Sequence, residues 1–282
     1  MPKKTRLGVG LNIDWDFFFE QEEKHPNHDW GHAESPFYYS GMMWAVRFSG
    51  AYAVGEDLQK TYTADRRWRT LWTYLKRRGF NLDNATVIFA DSNLGAWYVF
   101  DMFRVSHIYN FDNHHDVFYR GGASENIDCG NWLGQTMREQ PKLGATIVYP
   151  DRERLEWEFE FENPRANRWV KSGRLDATTY DELEKGRRDV DAIFICRSGA
   201  WTPPWDDEKF MQLVRKTPNA KGEFYGQVYI KDYFGDHAND TVHPEEVRGW
   251  NRRDAVKNGN SERKMFAKFR KQMEKARSSD GP

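Results

Sequence analysis

Acidic and imidazole side chains are concentrated in one short segment, Asn110 to Val117, which reads NFDNHHDV. It follows the apolar run 107–109, so it is predicted to be a buried strand that runs into a loop. Alternate side chains of extended backbone point the same way, which places Asp112, His114 and Asp116 on one side and His115 on the other. Two carboxylates and an imidazole packed this closely repel one another or raise one another's pKa unless a cation lies among them. The segment therefore predicts a metal site, with an Asp-rich turn or helix cap as the alternative.

A second acidic pair comes at the end of the first predicted strand. Residues 7–13 are apolar and lead directly into Asp14-Trp15-Asp16. Two carboxylates separated by one residue at a strand end also point to the same side. We therefore expect Asp14 and Asp16 to join the cluster as metal ligands, although a pair of loop acids would show the same spacing.

The elements around these motifs alternate between strand and helix. Strands are predicted at 7–13, 86–90, 107–109, 144–149 and 191–196, and helices at 65–78, 94–104, 178–188, 205–216 and from about 128 to 139. This alternation predicts an α/β fold with a mostly parallel sheet between layers of helices. Alternating apolar and acidic residues at 155–161, together with 168–175, predict a small antiparallel β flap.

Further candidate site residues follow from the same topology, because ligands bind beyond the carboxyl ends of parallel strands. Arg197 is a candidate for binding a substrate carboxylate or phosphate, with a salt bridge as the alternative. His115 is a candidate proton shuttle, with a core histidine as the alternative. Weaker candidates for lining the substrate pocket lie after other strands and at a helix start: Asp91, Asn93, Asn131 and Trp132.

The chain has 282 residues, and we predict one large α/β domain over 1–260 followed by a basic helix and tail at 261–282. Residues 20–62 show no sustained period, which predicts a long loop that covers the substrate. The loop contains His25, His28 and His32, but no cysteine accompanies them and the segment is rich in turn residues. These histidines therefore do not predict a zinc site.

The bulk composition excludes several classes of protein. A net charge of -1 gives no general attraction to nucleic acid or to an anionic membrane. Two cysteines, Cys129 and Cys196, give neither a disulfide framework nor metal spacing. The sequence shows no signal peptide and no apolar stretch of about 20 residues, so we expect a soluble cytoplasmic protein. The basic C-terminal helix is more typical of packing or homo-oligomer contacts than of nucleic-acid binding.

The motifs resemble the arginase/deacetylase superfamily over roughly residues 7 to 205. Asp112 to Asp116 matches the D-x-H-x-D signature of ureohydrolases, and Asp14-Trp15-Asp16 resembles that superfamily's D-x-D. The stretches at 12–18 and 130–133 resemble poorly characterised arginase-like proteins of bacteria and phages. The resemblance implies an arginase-like fold and a divalent metal held by the five acidic and histidine ligands. It also implies hydrolysis of a C–N bond in a guanidino, amidine or amide substrate by metal-activated water.

An oxygen-rich site with one imidazole favours Mn first, with Mg, Fe(II) and Zn as alternatives. Two departures from the family pattern affect the number of ions. The D-x-D precedes the D-x-H-x-D here, whereas it follows in arginases. The strand end Ala90-Asp91-Ser92-Asn93 also lacks the histidine of the arginase Gly-Gly-Asp-His segment, so the sequence leaves one or two ions open.

Two other functions fit parts of the sequence. A phosphatase of the haloacid-dehalogenase type would use Asp14 as nucleophile, Asp16 as acid/base and Ser92 on the phosphate, with a magnesium-binding segment at 235–240. Phe18 stands where that family has Thr or Val. A non-catalytic binding protein with a degenerate arginase-like site is the other alternative, and the missing histidine supports it.

Overall fold

The computed structural model of the chain describes residues 7–20, 40–119, 127–159, 161, 163–218, 225–226 and 252–279. Two predictions concern residues outside these ranges. They are the interpretation of His25, His28 and His32, and the magnesium-binding segment at 235–240.

The chain forms two compact units. The first consists of Met1–Phe19, Ala64–Thr202 and Glu208–Thr241, and the second of Glu20–Thr63, Pro203–Asp207 and Val242–Pro282. The boundary that we predict at residue 260 falls inside a helix of the second unit. Segments distant in sequence therefore build each unit.

The first unit contains a parallel β-sheet, which confirms the predicted α/β fold with helices flanking a mostly parallel sheet. Its order is β6-β5-β4-β1-β7-β3-β8, and β2 pairs with β7. The strands are β1 (Val9–Asp14), β2 (Phe80–Asn81), β3 (Thr86–Ala90), β4 (His107–Phe111), β5 (Gly144–Tyr149), β6 (Leu175–Thr179), β7 (Arg188–Cys196) and β8 (Tyr225–Gly226).

The central strands end level with one another. Ile13 of β1 pairs with Phe111 of β4, and Asp14 pairs with Cys196 of β7. Cys196 in turn pairs with Ala90 of β3. The residues that follow these positions therefore leave the sheet at one edge, which confirms that the predicted strand ends converge.

The helices are α1 (Ser40–Ala53), α2 (Leu58–Thr61), α3 (Leu71–Arg78), α4 (Leu94–Phe103), α5 (Trp132–Glu139), α6 (Arg152–Glu158), α7 (Pro164–Lys171), α8 (Asp207–Arg215) and α9 (Arg252–Ser279). The predicted apolar stripe of α3 is buried, including Leu71, Trp72 and Leu75. Trp68 belongs to a separate 3₁₀ turn, Arg66–Arg69, so the predicted helix 65–78 is split at Thr70. Gly79 ends α3 with a φ of 95°, a conformation that favours glycine.

The predicted antiparallel flap is wrong, because residues 155–158 lie in α6 and residues 168–171 lie in α7. The side chain of Asp151 accepts a hydrogen bond from the Arg154 backbone N–H (2.9 Å) and starts α6. Asn163 caps α7 in the same way, with Pro164 at the first position of the helix. These start signals outweigh the alternating pattern of 155–161.

The helix predicted at 178–188 is also wrong. Residues up to Thr179 belong to β6, which extends the sheet by pairing with β5 over its whole length. A turn follows, and β7 begins at Arg188. β-branched Thr178 and Thr179 suit the pleated sheet better than a helix.

The second unit contains α1, α2 and α9. The loop that we predict over 20–62 is wrong for its described part, since α1 and α2 occupy most of it. Helix α9 begins at Arg252 rather than at residue 261. It packs against α1, where the Ser49 hydroxyl donates to the Ala255 carbonyl (2.9 Å). Among the described residues, no helix combines the length and apolar character needed to cross a membrane.

Candidate metal centre

The centre is built where β1 and β4 end side by side. After Asp14 the chain enters a 3₁₀ turn, Trp15–Phe18, and the Asp14 side chain caps it by accepting from the Asp16 backbone N–H (3.1 Å). After Phe111 the chain bends, and Asp112 Oδ1 accepts from the His114 backbone N–H (2.8 Å). Both acidic motifs are therefore fixed by short local hydrogen bonds.

Three side chains from these two strand ends meet. Asp16, Asp112 and His114 each offer a ligand atom, and the three atoms lie within 4.8 Å of one another. His114 Nδ1 is 3.0 Å from Asp16 Oδ2 and 3.5 Å from Asp112 Oδ1. Ligand atoms bound about 2.1 Å from one ion are separated by about 3.0–3.5 Å at tetrahedral or octahedral angles. The spacing of these atoms therefore suits a single divalent ion.

One oxygen of this group is left without a hydrogen bond. Asp16 Oδ2 is buried and has no hydrogen-bond partner. His114 Nδ1 lies 3.0 Å from it, a contact that becomes an ion pair only when the imidazole is protonated. With a neutral imidazole, a buried carboxylate oxygen without a hydrogen bond is costly. A cation between the two atoms would remove that cost.

The pKa values of the cluster also indicate that negative charge is unfavourable there without a cation. Burial, followed by the charges of neighbouring carboxylates, raises the pKa of Asp14, Asp16 and Asp116 above the ordinary value. Burial alone would lower the pKa of His114, but Asp16 and Asp112 outweigh it and raise that pKa well above the ordinary value. The cluster therefore favours bound protons or a bound cation over free carboxylates.

Asp14 and Asp116 belong to a neighbouring group centred on Asn93. The Asn93 Nδ2 is 2.6 Å from Asp14 Oδ2, 3.1 Å from Asp112 Oδ2 and 3.0 Å from Asp116 Oδ2. Trp132 Nε1 also donates to Asp116 Oδ2 (2.7 Å). Asp112 thus uses one oxygen towards His114 and the other towards Asn93. All five predicted ligands lie in one connected network, but the three-residue group and the Asn93 group are distinct.

The orientation of Asn93 is set by two further amides. Asn12 Nδ2 donates to Asn93 Oδ1 (3.2 Å) and to Asn110 Oδ1 (2.6 Å). Because the Asn93 oxygen accepts this bond, its NH₂ group faces the carboxylates. Asn12 and Asn110 are cross-strand partners in β1 and β4 and are fully buried. They were missed as site residues, although a polar residue inside an apolar strand is a usable signal.

The predicted strict alternation over 112–116 is wrong, because the backbone is not extended there. Asp116 has a φ of 50°, in the left-handed region. The Asp116 carboxylate accepts from Asn93 Nδ2 and Trp132 Nε1, and it is not among the three side chains that meet at ligand spacing. Aspartate is one of the residues that tolerates such a conformation.

His115 packs as a core residue. Its Nδ1 accepts from the Val117 backbone N–H (2.9 Å), and its ring stacks on Tyr119 at 3.8 Å. Burial, with smaller contributions from His114 and Arg154, lowers the pKa of His115 to about 3. These contacts favour a neutral packed imidazole over the predicted proton shuttle.

The remaining predicted residues lie at other parts of the same sheet edge. Arg197 is buried, its Nη1 donates to the carbonyl (3.2 Å) and hydroxyl of Thr202, and its guanidinium lies over the Phe210 ring. Asp91 lies against Gly199, where a Cβ would come within 2.9 Å of Asp91 Oδ2. Asn131 Oδ1 accepts from the Asp128 backbone N–H (3.0 Å), which is a turn role before α5.

Other residues that the sequence analysis does not single out hold the candidate ligands in place. Asn113 Nδ2 donates to the Asp16 carbonyl (2.6 Å), which ties the β4 loop to the β1 turn. Arg154 Nε donates to the Asn113 carbonyl (2.6 Å), and its guanidinium pairs with Glu158 (3.3 Å). Trp201 contributes a ring 5.1 Å from that of His114. No sequence pattern signals these contacts, since they join segments far apart in the chain.

The comparisons with known proteins add no relative. No family model, no curated protein and no solved structure matches the chain. The resemblance to the arginase/deacetylase superfamily therefore rests on the motifs alone.

Proposed function

We propose that the chain is a metal-dependent hydrolase that cleaves a C–N bond in a guanidino, amidine or amide substrate, with a divalent ion held by Asp16, Asp112 and His114. The observation that carries the proposal is the meeting of these three side chains at ligand spacing, with the buried Asp16 Oδ2 lacking a hydrogen bond. The D-x-H-x-D order, which resembles ureohydrolases, supports the substrate class.

The donor set supports Mn²⁺ as the first candidate. Two carboxylates and one imidazole also suit Fe(II), Zn²⁺ and Mg²⁺. We favour one ion over two, because the NH₂ group of Asn93 lies among the carboxylate oxygens of Asp14, Asp112 and Asp116. A second cation would need that position.

A bound divalent ion would supply Lewis acidity, which makes water nucleophilic near neutral pH. The residues of the chain orient this centre. The His114 backbone N–H fixes Asp112, and Asn113 holds the turn that carries Asp16. The His114 side chain keeps 16% of its surface exposed, against 3% for Asp16 and 0% for Asp112. A substrate would therefore approach the centre from the side of His114.

Metal analysis of the purified protein after dialysis is the first test. We expect the wild type to retain Mn²⁺ in a one-to-one ratio, and Asp112→Asn to lose it. Asp91→Asn is the matched control, because it removes a carboxylate from a neighbouring strand end and should keep the metal. Equal metal content in the wild type and Asp112→Asn would refute the proposed ligand set.

Hydrolysis assays then test the reaction class. Release of product from a panel of guanidino, amidine and amide compounds should require Mn²⁺ and disappear in Asp112→Asn. Phosphate release that survives Asp112→Asn but is lost in Asp14→Asn would favour the phosphatase alternative. Tight metal binding without hydrolysis of any compound would favour a non-catalytic binding protein.

A further inference from the structure

The first unit has an open cleft of about 620 Å³ between the carboxyl-terminal half of α5 and helix α7. Four arginines line it, together with a tryptophan and a serine: Arg138, Arg165, Arg168, Arg174, Trp169 and Ser172. Arg174 directly precedes β6, and its Nε donates to the Leu143 carbonyl just before β5 (3.2 Å). The cleft therefore lies at the amino ends of these strands, whereas the candidate metal centre lies at carboxyl ends.

Three of the four guanidinium groups pair with no other residue in the described part of the chain. Within the described residues, the side chains of Arg138, Arg165 and Arg168 make no hydrogen bond and no ion pair. Arg174 differs, because it donates to the carbonyls of Met137 and Leu143 and lies over the ring of Trp169. Arg174 thus builds the cleft wall, and the other three supply positive charge that no acidic side chain pairs within the described residues.

Helix electrostatics explain only part of this arrangement. Arg138 and Arg168 lie in the last turns of α5 and α7, where the helix dipole favours a cation. Arg165 lies in the first turn of α7, where the dipole disfavours one. Bringing like charges together also costs free energy unless an anion is present. The net charge of the whole chain is only -1, so this concentration is local.

We propose that this cleft is a binding site for a small ligand that carries two or more phosphate groups. Guanidinium groups bind phosphate oxygens through paired hydrogen bonds, and several of them together match several phosphates. The volume lies in the range of small-molecule sites, roughly 300–1,000 Å³. The site is separate from the candidate metal centre and does not depend on the proposed reaction.

Calorimetric titration with inorganic tripolyphosphate tests the proposal on the full chain. Every protein is first treated with a chelator and dialysed, because tripolyphosphate would also bind any retained divalent ion. We expect saturable binding that weakens at least tenfold in Arg165→Gln/Arg168→Gln and in Arg138→Gln on the opposite wall. Arg165→Lys/Arg168→Lys keeps the charge but loses the paired donors, so it should bind with intermediate affinity. Lys76→Gln/Arg77→Gln removes the same charge from the last turn of α3 and should bind like the wild type.

Asp112→Asn should also bind tripolyphosphate like the wild type, which separates this test from that of the metal centre. Equal affinity of the wild type, Arg165→Gln/Arg168→Gln and Arg138→Gln would overturn the proposal. It would also be overturned if a short single-stranded oligonucleotide bound through the same arginines while tripolyphosphate did not. A nucleic-acid backbone would then be the ligand.

Discussion

The amide of Asn93 lies where three carboxylates of the candidate metal centre face one another. Its NH₂ group has two hydrogens but three carboxylate oxygens within 3.1 Å. This neutral donor separates Asp14, Asp112 and Asp116 without adding charge. Asn93 thus keeps carboxylates apart at Asp112 Oδ2, and we assign the same role to the ion at Asp112 Oδ1.

Replacing Asn93 should expose the repulsion that it relieves. In Asn93→Ala, the buried oxygens of Asp14 and Asp116 lose a donor, which should lower the free energy of unfolding by about 1–3 kcal/mol in the presence of a chelator. Urea unfolding followed by tryptophan fluorescence measures the change. Asn131→Ala, a buried asparagine in a turn, is the control and should lose less. Equal losses in the two variants would contradict a special role for Asn93.

At the residue scale, the sequence predicts which side chains meet at the candidate metal centre better than how each of them is oriented. Asp16, Asp112 and His114 meet as predicted, because register and strand ends alone bring them together. Asp116 departs, since its left-handed backbone conformation cannot be read from an alternating pattern. Asn113 and Arg154 could not be found at all, because their partners lie in other segments of the chain.

At the element scale, buried parallel strands are the most predictable part of the fold. Their continuous apolar runs predict β3 and β5 with the observed bounds. Helix α6 is mistaken for a strand because the sequence LEWEFEF alternates over 155–161, and the segment that overlaps α7 is mistaken for the partner of that strand. Their start signals, Asp151 and Asn163-Pro164, are single residues that a periodicity count does not weigh.

The packing of α1 on α9 in the second unit allows a prediction in which two effects have opposite signs. Helix propensity alone favours Ala over Gly at position 259 by about 1 kcal/mol. However, a Cβ at Gly259 would lie 2.8 Å from the Ser49 carbonyl oxygen and 3.1 Å from Tyr52. Such overpacking costs about 1–3 kcal/mol. We therefore expect Gly259→Ala to destabilise the second unit.

Hydrogen exchange measures this effect segment by segment. Amides of α1 and α9 should lose protection in Gly259→Ala, whereas Asn258→Ala, at an exposed position of α9, should keep or gain it. The metal content should not change, because Asp16, Asp112 and His114 belong to the first unit. Increased protection in Gly259→Ala would show that propensity outweighs packing here.

At the scale of the whole molecule, two sets of buried groups make stability depend on pH in opposite directions. The carboxylates of the candidate metal centre have raised pKa values, so without metal they contribute stability at low pH that is lost as the pH rises. Histidines with lowered pKa values contribute stability at neutral pH that is lost on acidification. A variant that removes one histidine leaves the carboxylates unchanged, so its difference from the wild type gives the contribution of that histidine alone.

His107 is the histidine best suited to that comparison, since it lies outside the candidate metal centre. Its Nε2 is 2.8 Å from Thr146 Oγ1, and its ring is 4.8 Å from that of Tyr109. The pKa of His107 is lowered to about 4, chiefly by burial; the charge of Arg188 adds to the lowering, and that of Asp176 opposes it. The imidazole therefore stays neutral in the folded chain at pH values where the unfolded chain binds a proton.

The pH window follows from the two pKa values. Between pH 6.5 and about 4 the unfolded state binds more protons, so acidification through this window favours unfolding. A folded pKa of about 4 against 6.5 in the unfolded chain is worth about 2 kcal/mol at pH 5. His107→Gln keeps a polar partner for Thr146 but cannot titrate. Urea unfolding at pH 7 and pH 5 measures the free energy of unfolding that is lost on acidification. We expect this loss to be about 2 kcal/mol smaller in His107→Gln than in the wild type. Equal losses would mean that His107 binds its proton as readily in the folded chain as in the unfolded one.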